Sequence, residues 1–279
     1  MAGVPQITLN DGTSIPQLGL GVWQVDPGIT ARVVRDGIAA GYRLIDTAEG
    51  YDNEKGVGEA IRSAEVPRED LYIASKLRNG AHQRDLALKA FDETMQKLGI
   101  EQLDLFLIHW PVPGQDKYAE AWATLVELRQ QGRVKSIGVS NFNEDHLDRI
   151  IEETGVVPVI NQIELHPYFP QLEQRGWLKR RNVQIECYSP LGSGAVLEDE
   201  AIAAIGKAHG KSVAQTILRW HLQQGLIVIP KSTHADRMKA NFDVVDFELS
   251  DDEMATLSGL GKGEDGRTGS NPATNNDTF

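Results

Sequence analysis

The order of apolar runs along the 279 residues predicts an α/β fold, a single closed (β/α)8 barrel of the TIM type. Three observations carry that expectation. Eight apolar runs of strand length alternate with longer segments of helical period. Repeated βα units favour parallel strands closed into a barrel with the helices outside. The rival, an open doubly wound sheet, lacks its Gly-rich fingerprint, because Gly19-Leu20-Gly21 follows a hairpin pattern and has no third glycine at the required spacing. No linker and no short internal repeat divides residues 1–279, so one barrel domain is expected.

The chain opens on the hairpin pattern Gln6–Leu9, Asn10-Asp11-Gly12, Ser14–Gln17. Candidate barrel strands follow at Gly19–Val22, Arg43–Asp46, Leu71–Lys76 and Leu105–His109. They continue at Ser136–Ser140, Val159–Ile163, Gln184–Tyr188 and Ile227–Pro230. Helical periods stand out at Arg84–Leu98 and at Lys117–Gln131, the latter stopped by Gly132. Others cover Glu144–Glu153, Glu173–Arg180, Ser212–Gln224 and Ala235–Val244. From Gly261 to Phe279 the chain is rich in Gly, Asn and Thr with few apolar residues, which predicts a loop.

Composition narrows the function classes. Hydrophobic residues at 41% and charged residues at 24% suit an ordinary core-bearing protein. The net charge of −12 argues against nucleic acid or an anionic membrane as the main partner. Cys187 is the only cysteine, so neither an intramolecular disulfide nor a Cys-rich metal site is available. The start, Met1-Ala2-Gly3-Val4-Pro5, carries no basic and apolar signal, and no apolar run is long enough to span a membrane. A cytoplasmic protein is expected.

In a barrel the chemistry sits at the C-terminal strand ends, where the βα loops open. Asp46 ends the second strand, Lys76 the third and His109 the fourth, while Tyr51 lies in the loop after Asp46. Singly, each has an ordinary structural role: a turn cap, a solvated terminus, a bonded core imidazole, a packed ring. Together they bring an acid, a base, an imidazole and a phenol to one mouth. A carboxylate and an ammonium beside a phenol change how readily it gives up its proton, and a tuned proton donor is what carbonyl reduction needs. Trp23 and Trp110 follow the first and fourth strands, placing two indoles where an apolar substrate wall belongs.

The segment Leu44-Ile45-Asp46-Thr47-Ala48, with Tyr51 and Asn53-Glu54 behind it, strongly resembles the aldo-keto reductase superfamily. So do Ile137-Gly138-Val139-Ser140-Asn141-Phe142, Asn161-Gln162-Ile163-Glu164-Leu165-His166-Pro167 and Ile229-Pro230-Lys231-Ser232. The resemblance runs from the hairpin to Asp246-Phe247-Glu248-Leu249 and is similar to the bacterial 2,5-diketo-gluconate reductase-like branch and to xylose reductase-like proteins. It implies a catalytic tetrad: Tyr51 as general acid, Lys76 lowering the phenol's pKa, Asp46 holding Lys76, and His109 orienting the carbonyl. It implies NADPH as cofactor and reversible reduction of aldehydes and ketones. Ser140, Asn141 and Gln162 match positions on the nicotinamide carboxamide, and Tyr188 matches the ring that stacks on the nicotinamide. Ser189 and Leu191 fall among cofactor positions after it. Lys231, Ser232 and Arg237 match the 2′-phosphate site, with Thr233 in the same segment and Asn241 against adenine. Ala240 and His234 depart from the glutamate and arginine common in relatives, so a less strict preference for NADPH is expected. Gly50 stands where relatives often carry a larger apolar residue, which should widen the substrate pocket. The tail is expected to close over the mouth as a C-terminal loop.

The expected partner is a small-molecule carbonyl, and a monomer is the family expectation. No metal site is expected, since the seven histidines show no H-x-x-x-H spacing. Two other readings stay open: a Schiff-base barrel lyase with Lys76 as nucleophile, and a non-catalytic NADPH-binding regulatory subunit.

Overall fold

Period-two alternation decides what each strand sends inward, and here it builds a closed barrel. The computed structural model describes residues 3–278. Strands β1 (Gln6–Thr8) and β2 (Ser14–Pro16) pair as an antiparallel hairpin. Then come β3 (Gly19–Gly21), α1 (Pro27–Ala40), β4 (Leu44–Asp46), α2 (Glu54–Arg62), β5 (Tyr72–Leu77), α3 (Arg84–Leu98) and β6 (Leu103–Ile108). The order continues with α4 (Tyr118–Gln130), β7 (Val134–Ser140), α5 (Glu144–Thr154), β8 (Ile160–Glu164), α6 (Leu172–Arg180) and β9 (Gln184–Tyr188). It ends with α7 (Glu200–Ala208), α8 (Val213–Gln223), β10 (Ile227–Val228), α9 (Ala235–Phe242) and α10 (Asp251–Ser258). Strands β3 to β10 pair in parallel with sequence neighbours. The ring closes where Val228 N donates to Gln17 O at 2.9 Å and Gly21 N to Pro230 O at 3.2 Å. The expected barrel is what forms.

Two apolar cores result. Outward-facing residues such as Ile45, Ile73, Phe106, Ile137 and Cys187 pack against the helices. Inward-facing Leu44, Tyr72, Leu105, Ile160 and Ile227 fill the barrel floor with Leu9 and Ile15 of the hairpin, which plugs the N-terminal end. Higher inward positions include four polar residues, Asp46, Lys76, Gln162 and Glu186, all buried. Gln162 of β8 reaches Asp46 of β4 at 3.1 Å, a span possible only through the barrel interior. Polar side chains at buried inward sites mark a strand layer kept for chemistry rather than packing.

Helices absent from the periodicities above are α1, α2, α7 and α10. Three have plain caps: Asp26 accepts from Gly28 N at 2.7 Å with Pro27 opening α1, Asp199 accepts from Ala201 N and Ile202 N at the start of α7, and Ser250 and Glu253 form a capping box on α10. The strand limits shift by a residue or so, and α9 ends at Phe242 rather than Val244. The tail after Gly261 holds only a short 3-10 turn at Gly263–Gly266 and otherwise runs as loop.

Candidate active site

At the C-terminal mouth a cavity of about 770 Å3 opens above the polar layer. Asp46, at the end of β4, and Lys76, on β5, meet with Lys76 Nζ 2.5 Å from both Asp46 oxygens and 2.9 Å from Thr47 O. Both are fully buried. Tyr51 sits in the loop after β4, part-exposed on the cavity wall, with its Oη 3.3 Å from Lys76 Nζ. His109 follows β6 and turns its ring edge-on to Tyr51, centroids 5.6 Å apart. The structure therefore brings all four residues together.

Their electrostatics follow from burial and charge. Burial opposes the Lys76 charge, but the Asp46 carboxylate outweighs it and holds the ammonium above its ordinary range. Burial raises the Tyr51 phenol, and Lys76 pulls it down without cancelling that rise. The Lys76 charge acts in the expected direction, lowering the phenol, while burial of the ring outweighs it. Burial, then the Lys76 charge, hold His109 well below its usual range, so it is neutral at pH 7.

Glu186 of β9 is a site residue with no motif signal. It is fully buried, two residues before Tyr188, and accepts from Gln162 Nε2 at 3.0 Å. Gln162 thus shares its amide nitrogen between Asp46 and Glu186. Asp46 pairs with the Lys76 ammonium, and Glu186 makes no ion pair with it. Burial, reinforced by the Asp46 charge, pushes the Glu186 carboxyl up to about 8. Its inward parity with Tyr188 is the one signal that could have found it.

The cofactor half is distributed over β7 to β10. Ser140 and Asn141 follow one another at the end of β7, with Asn141 Nδ2 donating to Ser140 Oγ at 3.0 Å and to His109 O at 3.1 Å. Tyr188 Oη donates to Asn141 Oδ1 at 2.8 Å, which fixes the ring. Asn141 and Ser189 both hold left-handed backbones, φ 62° and 45°, a cost of order 1–3 kcal/mol each that clusters at functional sites. Ser140, Asn141, Gln162, Tyr188, Ser189 and Lys231 line the cavity. Leu191, Ser232, Thr233, Arg237 and Asn241 stand outside its lining. Ser232 Oγ accepts from His234 N at 3.1 Å, and His234 opens α9 with Arg237 exposed on its first turn.

Trp23, Gly50 and Trp110 border the cavity, and Trp23 is half exposed. Glu49, beside Gly50, is buried and pairs with Arg78 at 2.8 Å. The tail closes part of the mouth: Thr268, Gly269, Ser270, Asn275 and Asp277 line the cavity. Glu164, at the end of β8, holds it by accepting from Thr268 N (2.7 Å), Thr268 Oγ1 (2.6 Å) and Gly269 N (2.8 Å). Its far end is tied by Asn79 Nδ2 to Asp277 O at 2.7 Å and Gly114 N to Asn276 Oδ1 at 2.6 Å. Of the tail, Phe279 lies outside the described residues.

Comparison with known proteins agrees with this geometry. Residues 16–262 match the sequence profile of the Aldo/keto reductase family. An aldo-keto reductase of Mycolicibacterium smegmatis is 50% identical over 98% of this chain and 99% of its own. The methylglyoxal reductase DkgA of Escherichia coli is 45% identical over 98% of both chains. Among solved structures, a variant of Gox0644 in complex with NADPH is similar at TM-score 0.95 and 45% identity, covering 98% of this chain and 99% of that one. A Bombyx mori aldo-keto reductase in complex with NADP gives TM-score 0.87 at 36% identity, covering 94% of each.

Proposed function

The chain belongs to the aldo/keto reductase family, and from that premise we propose that Tyr51 is the general acid of its NADPH-dependent reduction of aldehydes and ketones to alcohols. The carrying observation is the phenol–ammonium–carboxylate chain, Tyr51 Oη to Lys76 Nζ to Asp46, facing the cavity beside a neutral His109. NADPH, when bound, supplies the hydride. Tyr51 Oη gives its proton to the carbonyl oxygen, and Lys76 stabilises the phenolate left behind. Asp46 keeps Lys76 charged and aimed. His109, neutral, donates a hydrogen bond to the same oxygen and orients it.

The residues present fit the cofactor. Ser140, Asn141 and Gln162 place hydroxyl and amide groups at one wall, and Gln162 Oε1 remains to accept from a carboxamide because its nitrogen serves the carboxylates. Tyr188 presents a ring held by Asn141. Lys231 and Arg237, exposed before and on the first turn of α9, suit a phosphate, with Ser232, Thr233 and Asn241 beside them and Ser189 and Leu191 on the loop after β9. Exposed Ala240 and His234 supply no glutamate or guanidinium, which supports a relaxed preference for NADPH. Trp23, Trp110 and Gly50 wall the substrate end. The pinned, charged Lys76 counts against a Schiff-base nucleophile, which must be neutral to attack. Among the described residues no helix is long and apolar enough to cross a membrane; with the family's habit this supports a cytoplasmic monomer, which size-exclusion chromatography with light scattering tests.

The deciding experiment follows loss of NADPH absorbance with a carbonyl panel in wild type and Tyr51→Phe. The variant is expected to lose roughly 10²–10⁴-fold in kcat while NADPH still binds by fluorescence quenching. Full activity in the variant would remove Tyr51 from the role.

A further inference from the structure

We propose that Asp277 makes the substrate end of the cavity select against carbonyls that carry a second, anionic group. The inference rests on the carbonyl-reductase reading and names the substrate class that reading leaves open. Three charged residues line the cavity among the described residues: Asp46, Lys231 and Asp277. Asp46 is buried and neutralised by Lys76. Lys231 follows β10, whereas Asp277 is tied to the loops after β5 and β6 through Asn79 and Gly114. In an eight-strand ring, β5 and β6 stand opposite β10. The cation therefore serves one side of the mouth and the carboxylate the other, the side of His109 and Trp110.

Asp277 is fixed rather than trailing. Its backbone oxygen accepts from Asn79, its N–H donates to Asn275 Oδ1 at 3.1 Å, and Glu164 anchors the tail upstream. Arg78, one residue before Asn79, is taken by buried Glu49. No ion-pair partner of Asp277 is present among the described residues. A substrate carboxylate would thus meet a like charge with no cation beside it. A neutral or hydroxylated carbonyl meets no such repulsion. At a solvent-accessible distance such a repulsion is modest and screened by salt.

The test compares kcat/KM for 4-nitrobenzaldehyde and 4-carboxybenzaldehyde, whose far ends differ in charge. The greater intrinsic electrophilicity of the nitro compound is common to every variant and cancels when the ratio in a variant is divided by that of wild type. Wild type is expected to favour the nitro compound. Asp277→Asn should narrow the ratio about 3–10-fold at low ionic strength, the scale of one screened charge, and Asp277→Lys should narrow it further. Asp277→Glu should restore the wild-type ratio, and added salt should erase the difference between wild type and Asp277→Asn. Because Asn79 holds the backbone carbonyl, the tail stays docked in all three variants, and activity on the neutral aldehyde is the control. Equal ratios in wild type and Asp277→Asn would overturn the proposal. Failure of wild type to reduce either aldehyde would instead overturn the reductase reading, and this inference with it.

Discussion

A single buried carboxyl shows how the site's charge is balanced. Glu186 shares Gln162 with Asp46, while the ammonium of Lys76 pairs with Asp46. Its carboxyl is pushed up to about 8 when folded, against roughly 4.3 in an unfolded chain. The folded protein therefore holds a proton that the unfolded chain has released between those values. Stability contributed by the neutral form is full below about 4.3 and is lost as pH rises through about 8, on the order of a few kcal/mol at most. Glu186→Gln keeps an acceptor for Gln162 and removes the titration. Its urea-unfolding free energy should fall less than that of wild type between pH 5 and pH 9 (roughly the span of the two values). Parallel curves for the two proteins would show that Glu186 does not titrate in that span. The tetrad was legible in the sequence because each member ends a strand or follows one. Glu186 and Glu49 were not, because a buried carboxylate declares itself only through partners on distant strands.

At the scale of elements, the strands were readable and the tail was not. Alternation and caps are local, so β4, β5 and β6 fall close to where apolar runs place them. The tail has neither period nor caps; its seat depends on Glu164, some hundred residues earlier in the chain. Burial raises the Glu164 carboxyl, but bonds from His166, Thr268 and Gly269 outweigh that and hold it below its ordinary value. The latch thus needs the anion and weakens as pH falls through that lowered value. Glu164→Ala should free the segment around Arg267, giving tryptic cleavage at Arg267 roughly tenfold faster, as an opening free energy about 1.4 kcal/mol lower requires. An unchanged cleavage rate would mean that the bonds at the tail's far end suffice to hold it.

Across the whole molecule, stability and chemistry occupy opposite ends of one barrel. The floor is Leu9 and Ile15 against Leu44, Tyr72, Leu105, Ile160 and Ile227, while every tetrad residue lies at the other end. Ile15→Ala should cost about 2–5 kcal/mol of stability, seen as a lower urea midpoint, with KM for NADPH unchanged at low temperature. A matching rise in KM would show that the floor and the mouth are coupled. The closed ring itself was legible from eight repeated units, since βα repetition leaves few alternatives. Its polar inner layer became visible only once register fixed which residues face each other. The Glu164 latch has one more consequence. It grips the tail through two backbone amides and one hydroxyl, at Thr268 and Gly269, and so asks almost nothing of the residues that follow. Residues beyond Gly269, Asp277 among them, can therefore be exchanged to retune the mouth without unfastening the tail at Glu164.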